Sequence, residues 1–156
     1  MDEKRLVKDL RNLKNQYNIN YNDLISIVSR KIDENYVPIS IFTINGLNPL
    51  ESIVKYLKEN KSLRFSEISK LLERDQRVIW VTYNHVKDKP KISSKSKTLI
   101  PIKIFHYGNL SILESVVKYL KESSNLSLSE IALILKRDPR NIWKVYNNSI
   151  KKNGKK

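Results

Sequence analysis

Two short strings carry the side chains best suited to chemistry. RDQRVIWVTYN fills positions 74–84, and RDPRNIWKVYN fills 137–147. Arg77 and Arg140 present planar, permanently charged forks that fit a phosphate or the edge of a guanine. An ion pair of Arg77 with Asp75 or Glu73 is the structural alternative. Arg74 and Arg137 precede them by three residues and suit a backbone phosphate or open solvent. Asn141 offers the donor and acceptor that match adenine, whereas Val78 at the same place in the first string offers neither. Trp80 and Trp143 can flank a core, or they can press on a sugar or a thymine methyl. This chemistry holds a polyanion.

The strings belong to a longer repeat. A shift of 63 residues aligns 37–84 with 100–147 without a gap, and 26 of the 48 positions are identical. Each copy reads as three helices. Leu50, Ile53, Val54 and Leu57 recur at helical spacing, as do Leu113, Val116, Val117 and Leu120. A polar turn then leads to a second helix, with Ile68, Leu71 and Leu72 inward, matched by Ile131, Ile134 and Leu135. Ser66 and Ser129 are its expected N-caps, with Glu67 and Glu130 near the positive end of the dipole. Asp75 and Asp138 cap a third helix, and Pro139 takes its first position. Ile79, Tyr83 and Val86 form one inward stripe; Ile142, Tyr146 and Ile150 form the other. Gln76, Arg77, Trp80, Val81, Thr82 and Asn84 then point outward in the first copy. Pro139, Arg140, Asn141, Lys144, Val145 and Asn147 do so in the second. VPISIF and IPIKIF read as extended segments beside the first helix, with Phe42 and Phe105 as core plugs.

FSEISKLLERDQRVIWVTYNHV and LSLSEIALILKRDPRNIWKVYN resemble the helix-turn-helix of region 4 of bacterial sigma factors and of the regulators that share it. The second copy matches the family's E-I-A element literally at Glu130, Ile131 and Ala132. Charged residues stand where the family has a turn glycine, and Val78 or Asn141 stands at its usual threonine. The resemblance spans 22 residues in each copy. It implies DNA binding through the third helix. It does not imply promoter opening, because nothing else in the chain resembles a sigma factor.

The charge agrees with that implication. The net charge is +14, and the segments 87–99 and 150–156 alone hold +8 of it. Lys87, Lys89, Lys91, Lys95, Lys97, Lys151, Lys152, Lys155 and Lys156 are expected to add salt-sensitive attraction to phosphates without reading sequence. A linker of roughly 12 residues at about 3.3 Å each reaches about 40 Å. That covers the roughly 34–36 Å between successive major-groove faces, so two weak modules can act as one stronger binder. Between the copies, Gln76 changes to Pro139, Val78 to Asn141, Val81 to Lys144 and Thr82 to Val145. The expectation is two related but non-identical half-sites.

The expected fold is all-α. Two tandem three-helix modules, 37–88 and 100–150, flank a basic linker at 89–99 and precede a basic tail at 151–156. Residues 1–36 are expected to form a helical hairpin, with Leu6, Leu10, Leu13 and Tyr17 on one side of its first helix. That segment is either a decayed third copy, because YNDLISIVSR partly matches FSEISKLLER, or an unrelated hairpin that packs on the first module or dimerises. No catalytic group, metal, cofactor or small-molecule substrate is expected. The chain has no cysteine and three glycines. His85 and His106 are not equivalent in the repeat and lack ligand-spaced companions. No apolar run approaches the roughly 20 residues of a membrane span. The expected setting is cytoplasmic and nucleoid-associated. The expected partner is double-stranded DNA, with a second copy of the chain or the transcription machinery as further partners. Regulation of transcription is the expected purpose. An architectural or segregation role, and a protein-binding adaptor, are the alternatives.

Overall fold

The computed structural model describes residues 3–17, 20, 22–26, 29, 36–92, 96, 98–106 and 109–153. They are mostly helical and fall into two compact units, 1–35 and 36–156.

In the first unit, α1 spans Glu3–Tyr17 and residues 22–26 are also helical. Asn20 opens that second segment. Its Oδ1 accepts the Asp23 N–H at 2.9 Å, and its amide donates to the Asp23 carboxylate at 2.6 Å. The apolar side expected on α1 is only partly sheltered: Leu10 is half-buried, whereas Leu13 and Tyr17 are exposed. Residues 30–35, which bear on the hairpin and decayed-copy alternatives, lie outside the described residues.

In the second unit each copy opens with a three-residue strand and a 3-10 helix. β1 is Tyr36–Pro38, followed by a 3-10 helix at Ile39–Thr43 and then α2 (Pro49–Glu59), α3 (Phe65–Leu72) and α4 (Gln76–Val86). β2 is Leu99–Pro101, followed by a 3-10 helix at Ile102–His106 and then α5 (Ile112–Glu122), α6 (Leu128–Leu135) and α7 (Pro139–Asn153).

Reciprocal caps start the helices. Asn48 accepts the Glu51 N–H at 2.9 Å while the Glu51 carboxylate accepts the Asn48 N–H at 2.8 Å. Ser111 and Glu114 repeat this at α5, and Ser127 and Glu130 at α6. At α3, Glu67 accepts from the Arg64 backbone N–H at 2.7 Å and from its guanidinium at 2.9 Å. These bonds hold the Glu67 and Glu130 carboxyls below the usual carboxylate range. They also correct the expected caps. Ser66 and Ser129 lie in the second helical position, because the glutamates reach back three residues to 64 and 127 and start each helix there.

The predicted apolar positions build the core. Ile53, Val54 and Leu57 join Ile68, Leu72, Ile79 and Val86, and Val116, Val117, Leu120, Ile131, Leu135 and Ile142 join them in the same cluster. One predicted position fails: Ile150 is 45% exposed, and Ser149 is buried instead. Ser149 is the repeat partner of Val86, seven residues after Ile142. Its hydroxyl donates back to the Tyr146 carbonyl at 2.6 Å, which satisfies it inside the helix.

The two copies do not stand as separate domains. β1 and β2 pair antiparallel, with Tyr36 opposite Pro101, Val37 opposite Ile100 and Pro38 opposite Leu99. The rings of Phe42 and Phe105 meet with centroids 6.2 Å apart. α3 packs on the 3-10 helix of the second copy, α6 packs on that of the first, and α2 meets α5. The start of the linker is also tied down. Ile92 is buried in the core, its carbonyl accepts from the Asn60 amide at 3.1 Å, and Lys89 donates to the Gly46 carbonyl. The picture of two modules on a loose tether is therefore replaced by one body with a shared core. Removing either phenyl ring would cost about 3–5 kcal/mol and loosen both copies at once.

Candidate nucleic-acid interface

The third helices are positioned from both ends. Before α4, Glu73 adopts a left-handed conformation with φ 48°. The Arg74 N–H then reaches the Ser69 carbonyl at 3.1 Å, and the Ser69 hydroxyl donates to the Arg74 carbonyl at 2.6 Å. The second copy keeps the turn with Lys136 at φ 50° but replaces Ser69 by Ala132 and loses the hydroxyl bond. Asp75 caps α4 as expected, accepting the Arg77 N–H at 2.7 Å. Asp138 caps α7, accepting from Arg140 at 2.8 Å and Asn141 at 3.2 Å.

At the far end of α4, the buried Lys55 ammonium donates to the carbonyls of Val86 at 2.9 Å and Lys87 at 3.3 Å. Its charge is balanced by Glu59 at 2.6 Å. A cation at the negative end of a helix dipole, with its donors satisfied, fixes where α4 stops. The equivalent Lys118 meets Glu122 at 3.9 Å, and α7 runs on to Asn153. There Lys152 donates to both carboxylate oxygens of Glu114, at 2.9 and 2.8 Å.

With one stripe of each third helix in the core, the opposite stripe is open. Gln76, Arg77, Val78, Trp80 and Val81 are exposed on α4; Pro139, Arg140, Asn141, Trp143 and Lys144 are exposed on α7. Trp80 is 55% and Trp143 61% exposed, so the core-flanking alternative for these indoles does not hold. Asp75, Gln76, Arg77, Trp80 and Val81 line one open groove. Arg140, Trp143, Lys144, Asn147, Asn148 and Lys151 line its counterpart.

Other predicted contacts sit differently. Thr82, Asn84, Val145 and Asn147 are half-buried, and Val145 packs on the core. Positions 82 and 145 follow the buried isoleucines by three residues, which brings them to the edge of the inward stripe. The amide nitrogen of Asn84 is itself buried. Arg74 is half-buried and donates to the Leu110 carbonyl of the other copy, so its guanidinium joins the two copies. Arg137 is half-buried with its Nε enclosed. Arg77 makes no ion pair among the described residues, and Asp75 serves its backbone as a cap. Lys87 and Lys151 are exposed, but Lys152 is committed to Glu114 and Lys89 to Gly46. Lys95, Lys97, Lys155 and Lys156 lie outside the described residues. Sequence reasoning missed Asn148 as an outward residue. Asn148 could have been found by counting one turn on from Lys144.

Among the described residues no cluster of three or more His, Asp or Glu could hold a metal ion, and no helix is long and apolar enough to cross a membrane. No family model matches the chain, and no curated protein or solved structure matches it either.

Proposed function

We propose that this protein binds double-stranded DNA through two helix-turn-helix units and regulates transcription. In each copy the second and third helices, joined by a three-residue turn and braced by the first, form the unit. The third helix is the reading element for the major groove. One observation carries the reading: α4 and α7 bury the same stripe and expose the same Arg and Trp positions, 77 with 140 and 80 with 143, at places the core does not need. A residue retained twice on an exposed face has no packing reason to be there. Arg77 and Arg140 can take a phosphate or a guanine edge, and the indoles can take sugar or thymine methyl surface.

The adaptor reading has one observation in its favour. Val78 and Val81, 46% and 44% exposed, flank Trp80 and make the outer face of α4 largely apolar. A salt titration separates the two. DNA binding measured by fluorescence anisotropy should weaken steeply with salt, by about 0.9 in log K per log salt for each phosphate engaged. The Arg77→Ala, Arg140→Ala double variant should lose at least tenfold in affinity, since each such contact is worth about 1–3 kcal/mol. Salt-insensitive binding, or an unchanged affinity in the double variant, would favour the adaptor.

A further inference from the structure

The repeat could have been built by translation, which would set the two reading helices head to tail. The contacts between the copies decide otherwise. In the β1–β2 pair, Val37 faces Ile100, and these residues are repeat equivalents, 63 apart. The flanking pairs, Tyr36 with Pro101 and Pro38 with Leu99, exchange with each other when the copies are exchanged. Phe42 meets Phe105, again its own equivalent. α2 meets its equivalent α5. The off-centre contacts are reciprocal: α3 lies on the second 3-10 helix and α6 on the first. Self-equivalent contacts at the centre with reciprocal contacts around them are the signature of a two-fold axis. That axis passes between Val37 and Ile100, inside a single chain.

We infer that the DNA site of this protein is an imperfect inverted repeat with one fixed spacing. The inference rests on the DNA-binding reading and adds orientation, symmetry and spacing to it. A two-fold axis relates α4 to α7, and the local two-fold axes of B-DNA relate its strands in the same way. Half-sites seated under such a protein are therefore palindromic, as for symmetric dimers of this motif, with centres a whole number of helical turns apart, each about 10–10.5 base pairs. The shared core and the buried Ile92 leave no slack for a second spacing. The palindrome is imperfect because the outward faces differ: Pro139, Asn141 and Lys144 replace Gln76, Val78 and Val81. The protein is thus a dimer-like reader in one chain, able to select an asymmetric version of a symmetric site.

The test is selection of bound duplexes from a random pool, followed by anisotropy on defined duplexes. Two versions of the protein are compared. One is the natural chain. The other carries Pro139→Gln, Asn141→Val and Lys144→Val, exposed changes that make residues 139–144 at the start of α7 identical to 76–81 of α4. For the natural chain the selected site should be a skewed inverted repeat. Recasting its halves as a direct repeat, or inserting five base pairs between them, should weaken binding on the order of 100-fold, the loss of one tethered contact. For the symmetrised protein the two halves should converge on one sequence. A direct repeat bound equally well, tolerance of the insertion, or an unchanged site after symmetrisation would overturn the inference and leave DNA binding intact. Failure to recover any duplex, even at low salt, would overturn the DNA-binding reading and the inference with it.

Discussion

Individual residues carry a division of labour between the copies. Among the described residues, Arg77 is the one basic side chain lining the groove on α4, whereas Arg140, Lys144 and Lys151 share the groove on α7. Under the proposed function the second copy supplies more of the phosphate attraction and the first relies on Trp80 and its valines. The turns carry a residue-scale cost. Glu73 and Lys136 hold left-handed conformations, at φ 48° and 50°, which an L residue adopts at a penalty of about 1–2 kcal/mol. Glycine relieves that penalty at such helix ends. Glu73→Gly and Lys136→Gly should therefore each raise stability by about 1 kcal/mol, read as a higher melting temperature by several degrees. An unchanged or lower melting temperature would mean that the two side chains stabilise the turn in some other way.

Between elements, the Glu114–Lys152 pair ties the end of α7 to the start of α5. Burial pushes the Glu114 carboxyl up, but the bond from Lys152 and the caps from Ser111 outweigh it and leave the carboxyl below the ordinary value of 4.5. A carboxyl depressed in the folded state adds stability above its unfolded value and loses it as pH falls through the folded one. Urea midpoints of the natural protein should therefore drop as pH is lowered below about 4.5. In Lys152→Met, burial acts on Glu114 with less opposition, the folded value rises, and this part of the acid dependence should shrink. Identical pH profiles for the two proteins would show that the pair does not form in solution. No local signal announces this contact, since the partners lie 38 residues apart. The caps at Asp75 and Asp138, by contrast, were legible because N-capping depends on residues within one turn. The caps of α3 and α6 lie two residues before the expected serines: at α6 Ser127 and Ser129 are both cap types, and at α3 the true start, Arg64, is not one.

For the whole molecule, the repeat was legible as a repeat, and most of its inward positions follow from helical periodicity. The joining of the copies was not. Three-residue strands carry no mark of their partner, and VPISIF reads equally well as packing on its own first helix. The shared core turns two expected tethered modules into one body, and with it the proposed site changes from two loosely spaced contacts to one rigid footprint. The proposed function requires that the outer faces of α4 and α7 are the surfaces that meet DNA. The chain has two tryptophans, one on each of those faces. Their emission can be followed as a selected duplex is titrated into Trp80→Phe and Trp143→Phe, each retaining one indole. The remaining indole in each variant should be quenched with the midpoint that anisotropy gives. Binding by anisotropy while both indoles keep their emission would contradict the proposed function.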